Sequence, residues 1–216
     1  MITNIILDFD GAVVNLQSYR LRSWKRAFNK FGLDFTIEEF FEYLHDHLRE
    51  QGVRNILSDA KEDLIQRIAD LKQTFYICNL NNNPPQPLPY FYEMIAEWRQ
   101  AGLKICVAGS SRNTHFILEK MGIFSCFDAV VDRYCYDIQK VKPEPDIYLA
   151  AFKKLNCEPN SCAIVTNSVR GIKAAKKTGA KTIGISTTVS KENLASFKPD
   201  LVVDNLNEIK SARIKV

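Results

Sequence analysis

The sequence predicts an α/β fold: a parallel sheet covered by helices on both faces, with an all-helical insert after the first strand. Three observations predict it. Short apolar runs of the kind buried parallel strands show punctuate the chain, beginning with "NIILDF" at residues 4–9. From residue 90 onward such runs alternate with helical patterns, the signature of strands joined by crossover helices. Before that, the stretch after the first strand carries helical spacing only.

The insert rests on three segments. "SYRLRSWKRAFNKFG" places Tyr19, Leu21, Trp24, Phe28 and Phe31 at helical spacing and stops at Gly32. "TIEEFFEYLHDHLRE", residues 36–50, opens on Thr36 with Glu39 three residues later, a capping-box pattern for a second helix. "DAKEDLIQRIADLKQTFYICNL", residues 59–80, reads as a third, long helix. "NNNPPQPLP", residues 81–89, is a linker signal. The expected division is a core of residues 1–14 and 86–216 and a helical domain of residues 15–85.

Beyond the linker the elements follow in turn. "YFYEMIAEWRQAG" predicts a helix ending at Gly102, and "LKICVA" a strand. "NTHFILEKMGI" is helical, "FDAVVD" a strand, "PDIYLAAFKKLN" helical and "CAIVT" a strand. "VRGIKAAKKTGA" is helical, "KTIGIS" and "PDLVVD" are strands, and a short helical tail closes the chain.

The totals narrow the function class. With 216 residues the chain suits one large domain, or a core with a smaller insert. The net charge of +4 comes without a dense Lys/Arg run, which argues against nucleic acid as partner. No apolar window reaches the ~18 residues of a membrane span, so no membrane partner is expected. The cysteines are Cys78, Cys106, Cys126, Cys135, Cys157 and Cys162, without a C-x-x-C pair. Several lie inside apolar runs, and they are read as reduced core residues of a cytoplasmic protein.

The chemistry-bearing stretch is "LDFDGAVVN", residues 7–15. Side chains at i and i+2 of a strand point the same way, so Asp8 and Asp10 are expected to face one pocket at the carboxyl end of the first strand. In open α/β sheets that end binds ligands. Burying two like charges is costly without compensating cations: a metal, a lysine, or both. Gly11 allows a tight turn just past them.

This stretch resembles the first motif of the haloacid dehalogenase-like (HAD) superfamily, hydrophobic residues followed by D-x-D-G. "AGSSRN" (108–113) falls where the second motif does, after the next strand. Lys142 in "VKPEPDIY" matches the third-motif lysine in its K-P-x-P-D setting. "IVTNSVRGIKAAKKTGA" (164–180) is similar to the fourth-motif segment, usually E-D-S-x-x-G-I-x-A-A. The insert resembles the superfamily's cap domain, and the branch that the chain resembles is that of β-phosphoglucomutase and small phosphatases.

The resemblance implies a Rossmann-like core with a helical cap, acting as a Mg2+-dependent phosphatase on a small phosphorylated metabolite. It implies Asp8 as nucleophile, forming an aspartyl-phosphate. Asp10 becomes the general acid and base. Asp8, Asp10 and Asn167 become the Mg2+ ligands, Asp10 through its backbone carbonyl. Lys142 balances charge on Asp8 and the phosphate. Gly109, Ser110, Ser111, Arg112 and Asn113, with the amides opening the next helix, become the phosphate cradle. In the insert, Arg49 and Lys72 match cap residues of the mutases, and Arg20 is a further cation for a distal phosphate. A monomer or weak homo-oligomer is expected.

The sequence also departs from the pattern. The second-motif Ser or Thr is Gly109, which removes a hydroxyl bond to phosphate worth about 1–3 kcal/mol; Ser110 is the expected stand-in. The fourth motif has Thr166 and Asn167 in place of two acids. Each unit-charge pair at ~4 Å is worth about 4 kcal/mol at an effective dielectric near ~20, so metal affinity and turnover are expected to be weakened. The D-T-x-x-x-H arrangement of the mutases is also absent: Asn15, Leu16 and Arg20 stand there. Two alternatives stay open, a phosphosugar mutase and a catalytically impaired protein binding a phosphorylated ligand or a protein.

Other signals are read as structural. His45 and His47 do not face each other on a helix, which makes a solvated helix face of them. His115 is expected in the first turn of a helix. "FFEY" and "YFY" are packing aromatics, and "KAAKK" a solvated face.

Overall fold

A computed structural model describes residues 1–45, 48–133 and 138–214. The chain forms two compact units, residues 1–15 with 85–216, and residues 16–84.

The first unit is built on a six-stranded sheet. Its strands are β1 (Asn4–Asp8), β2 (Lys104–Gly109), β3 (Ala129–Asp132), β4 (Cys162–Thr166), β5 (Lys181–Ile185) and β6 (Leu201–Val203). All pairings are parallel, in the order β3-β2-β1-β4-β5-β6. Each apolar run seen in the sequence forms one strand. β1 and β4 are buried along their whole length, as parallel strands between two helical layers must be. β1 lies between β2 and β4, where the order reverses, and the crevice at the carboxyl ends of such strands is the ligand site of open α/β sheets. Asp8 pairs with Ala108 in register, and Gly109 with Asp132, so the ends of three strands share one edge.

The second unit is helical. α1 (Gln17–Asn29) gives way to Gly32 at φ +68°. The capping box forms around α2 (Ile37–Glu39): the Glu39 amide donates to Thr36 Oγ1 at 3.1 Å, and the Thr36 amide to Glu39 Oε2 at 2.8 Å. The expected single helix over 36–50 does not continue. The turn widens over Phe40–Leu44, where the His45 amide reaches Phe40 O at 2.8 Å, and a separate helix, α3 (Arg49–Ile56), starts after extended Leu48. α3 packs back onto that turn, and Gly52 permits the close approach: a β-carbon there would stand 2.4 Å from Tyr43 O. α4 (Glu62–Asn82) is the long third helix. Trp24, Phe28, Phe35, Phe40, Val53, Ile65 and Ile68 form this unit's core. His45 is half-buried and packs edge-on against Phe40, ring centroids 5.6 Å apart; His47 lies outside the described residues.

Back in the first unit, α5 (Phe91–Gln100), α6 (Thr114–Lys120), α7 (Asp146–Leu155), α8 (Val169–Thr178), α9 (Lys191–Ser196) and α10 (Ser211–Ile214) complete the chain. α9, unseen in the sequence, is short and capped by Ser190 Oγ accepting from the Asn193 amide. Trp98 of α5 is fully buried and donates from Nε1 to Ile209 O at 2.7 Å, pinning the tail. Cys106 and Cys162 are core residues, and burial pushes the Cys162 thiol up to about 12. Cys78 is exposed, not core; Cys135 lies outside the described residues. Among the described residues no helix is long and apolar enough to cross a membrane.

Candidate functional site

Asp8 is the last residue of the central strand and is only 4% exposed. A buried carboxylate needs partners, and its Oδ1 has two: Lys142 Nζ at 2.5 Å and the Tyr148 hydroxyl at 2.8 Å. Lys142 comes from the loop before α7. Its ammonium also lies 4.7 Å from the Tyr148 ring centroid. The Arg170 guanidinium, in the first turn of α8, fixes that loop by donating to the Lys142 carbonyl from Nε at 2.8 Å and from Nη2. Tyr148 is fully buried. Burial, the Asp8 charge and the Asp8 hydrogen bond hold its hydroxyl well above the usual phenol range, against a smaller opposing effect of the Thr166 hydroxyl. Tyr148 is therefore a proton-bearing donor.

Asp10 is not the strand neighbour that the i, i+2 argument expects, because β1 ends at Asp8. It follows in a turn over Phe9–Val13, with Asp10 at φ −85°, ψ 120° and Gly11 at φ +92°. The Gly11 amide donates to Val14 O at 2.6 Å, and the Val14 amide to Phe9 O at 3.2 Å. Asp10 is partly exposed at this rim. Gly11 is required twice over. Its φ disfavours a side chain, and a β-carbon would stand 1.9 Å from the Asn167 amide carbon. The loop after β5 closes the same region: Thr187 Oγ1 donates to Gly11 O at 2.6 Å, and Asn167 Nδ2 to Thr188 Oγ1 at 2.7 Å.

Among the described residues no group of three or more His, Cys, Asp or Glu side chains is placed to hold a metal. The donor set at the strand end is two aspartates and the Asn167 amide oxygen, its nitrogen being turned to Thr188. These are hard oxygen donors, which fit Mg2+ and exclude a soft-metal site, with less negative charge than an acidic pair at 166–167 would give. Thr166 contributes no charge, and its Oγ1 accepts from the Ser168 amide at 3.4 Å.

The loop after β2 differs from expectation in one atom. The space beside Gly109 is filled not by Ser110, which is exposed, but by Thr114. A β-carbon on Gly109 would stand 2.1 Å from Thr114 Oγ1, close to where a side-chain oxygen of residue 109 would lie. Thr114 Oγ1 donates to Ser111 O at 2.8 Å. The Asn113 amide is taken by Ser111 Oγ at 3.2 Å and the Thr114 amide by Ser111 O at 3.3 Å, so these two amides of the expected cradle are already bonded. Arg112 is exposed. His115 does lie in the first turn of α6, where its Nδ1 is 2.5 Å from Oδ2 of buried Asp132 at the end of β3.

Arg20, Arg49 and Lys72 belong to the helical unit. Arg20 is on α1 and half-buried. Arg49 pairs with Glu50 at 3.2 Å and reaches Ala69 O at 3.5 Å. Lys72 is 7% exposed, its ammonium 4.4 Å from the Tyr76 ring centroid and 5.4 Å from that of Trp24. Tyr148, Thr114, Thr187 and Thr188 were not singled out from the sequence. A tyrosine at a core position of an amphipathic helix carries no local sign of a partner on another strand.

Comparison with known proteins agrees with this architecture. The chain matches the haloacid dehalogenase-like hydrolase family over residues 5–185. It is 28% identical over 192 residues to beta-phosphoglucomutase of Bacillus subtilis (strain 168), spanning 84% of this chain and 82% of that protein. It is 27% identical over 214 residues to pyrophosphatase PpaX of Bacillus velezensis, spanning 96% and 94%. The crystal structure of beta-phosphoglucomutase from Clostridium difficile matches with a TM-score of 0.82 at 27% identity, covering 100% of this chain and 96% of that one. Matched across most of its length, and with an aspartate, a lysine and a glycine turn gathered at the end of its central strand, the chain belongs to the haloacid dehalogenase-like hydrolase family.

Proposed function

We propose that this protein is a Mg2+-dependent phosphatase that hydrolyses a small phosphorylated metabolite through an aspartyl-phosphate on Asp8, in the cytoplasm. The observation that carries the reading is Asp8 itself: a buried carboxylate at the sheet's switch point, neutralised by Lys142 through one oxygen. In this reading Asp8 attacks phosphorus and the ester P–O bond breaks. Asp10 gives its proton to the leaving oxygen, then takes one from the water that attacks the acyl-phosphate, which releases phosphate and restores Asp8. Lys142 holds negative charge on Asp8 and on the phosphoryl oxygens. Asp8, Asp10 and Asn167 would hold Mg2+, which when bound supplies further charge neutralisation at the phosphate. Ser111, Arg112 and Asn113 are assigned to the phosphoryl oxygens beside the backbone at Gly109 and Ser110.

Residues 15–85 act as the cap domain in this reading. Arg20, Arg49 and Lys72 are its residues for the rest of the substrate, Lys72 with its ammonium beside the Tyr76 and Trp24 rings.

The test is hydrolysis of p-nitrophenyl phosphate at millimolar Mg2+. Turnover by the wild type and none by Asp8→Asn is the expected result. No turnover by either supports a non-catalytic protein. Conversion of β-glucose 1-phosphate, with a bisphosphate primer, to glucose 6-phosphate would reassign the protein as a mutase, despite Leu16 and Arg20 in the mutase Thr and His positions.

A further inference from the structure

The two oxygens of an aspartate are equivalent until something distinguishes them, because rotation about its last bond is broad and twofold. Lys142 alone does so poorly. An ammonium on a flexible stem carries three donors and follows either oxygen. Tyr148 is different. Its ring is fully buried, its hydroxyl has one proton, and that proton goes to Asp8 Oδ1 at 2.8 Å.

Thr166 Oγ1 accepts from the Ser168 amide at 3.4 Å, which leaves its hydroxyl proton directed elsewhere, and the Thr166 hydroxyl draws the Tyr148 hydroxyl toward ionisation, the effect of a donor facing its oxygen. With Thr166 as the donor to Tyr148, donors run one way, from Ser168 N–H through Thr166 and Tyr148 to Asp8, and such chains polarise one another. Gly171 makes room, since a β-carbon there would stand 1.9 Å from Thr166 Oγ1. An ionised carboxylate at 166 would only accept, and would compete with Asp8 for the single proton of Tyr148.

We infer that Tyr148, oriented by Thr166, is a positioning residue for the nucleophile: it locks Oδ1 of Asp8 and presents Oδ2 for attack on phosphorus. The inference rests on the phosphatase reading above. It adds that Thr166, where the similar motif has an acid, serves the nucleophile and not the metal.

The experiment is steady-state hydrolysis of p-nitrophenyl phosphate at saturating Mg2+ by wild type, Tyr148→Phe, Thr166→Val, the double variant and Asp8→Asn, with thermal melts of each. Tyr148→Phe is expected to lower kcat by about 10- to 100-fold with KM within about twofold of wild type. Thr166→Val is expected to lower kcat less, and the double variant to be no worse than Tyr148→Phe, because the two act as one chain. Wild-type kcat in a folded Tyr148→Phe, a loss carried by KM, or effects that multiply in the double variant would overturn the inference and leave the phosphatase reading standing. If Tyr148→Phe does not fold, Thr166→Val decides alone: reduced kcat at constant KM supports the chain, unchanged kcat overturns it. A silent wild type, indistinguishable from Asp8→Asn, removes both readings.

Discussion

The side-chain oxygen of Thr114 occupies the space that a side chain on Gly109 would need, 2.1 Å from the position of its β-carbon. The residue at 109 and the residue at 114 therefore trade one volume between them. Gly109→Ser, which restores the hydroxyl at the end of β2, should collide with Thr114 and destabilise the protein by about 1–3 kcal/mol, as overpacking does. Gly109→Ser combined with Thr114→Ala should recover most of that loss. Urea melts of the three proteins measure it; a neutral single variant would refute the shared-volume account.

Asn167 offers an amide oxygen where a carboxylate would add charge. Asn167→Asp keeps a partner, because the Thr188 hydroxyl can donate to it in place of accepting. The expected outcome is a lower Mg2+ concentration for half-activation, by about tenfold or more. A titration of turnover against Mg2+ checks it.

Lys142 is the cation on Oδ1 of Asp8, Nζ at 2.5 Å. Lys142→Met leaves a buried carboxylate with the Tyr148 hydroxyl alone on that oxygen. Breaking a buried pair by removing one partner costs about 3–5 kcal/mol, so the variant should melt markedly lower as well as lose turnover. Adding Asp8→Asn to it should return part of the stability, since the unpaired charge is then gone. Melting curves at neutral pH distinguish the two.

One surface pair gives a pH signature. The Lys191 hydrogen bond, followed by that of Ser186, holds the Asp204 carboxyl below its ordinary value of 3.8. A depressed carboxylate contributes stability that is present above 3.8 and is lost as pH falls through the lower folded value. Asp204→Asn should therefore melt slightly below wild type at neutral pH and converge with it in strong acid. The pair is exposed, so the gap should shrink with added salt.

The sequence by itself determined the sheet and most of its helices, because strand burial and helical spacing are local patterns: "CAIVT" is a strand wherever helices cover it, and the Thr36–Glu39 capping box needs only four residues. It also marked Asp8 as unusual, two charges at the end of a greasy run being hard to explain otherwise. It did not reveal that α3 would start afresh and set Gly52 against Tyr43 O. Nor did it reveal the partners of the nucleophile. Asp8 meets Lys142 across 134 positions and Tyr148 across 140. Those meetings depend on β1 lying between β2 and β4, and strand order is set by tertiary packing. Thr114 at Gly109 and Asn167 at Gly11 belong to the same class, since a glycine shows that something comes close but not what.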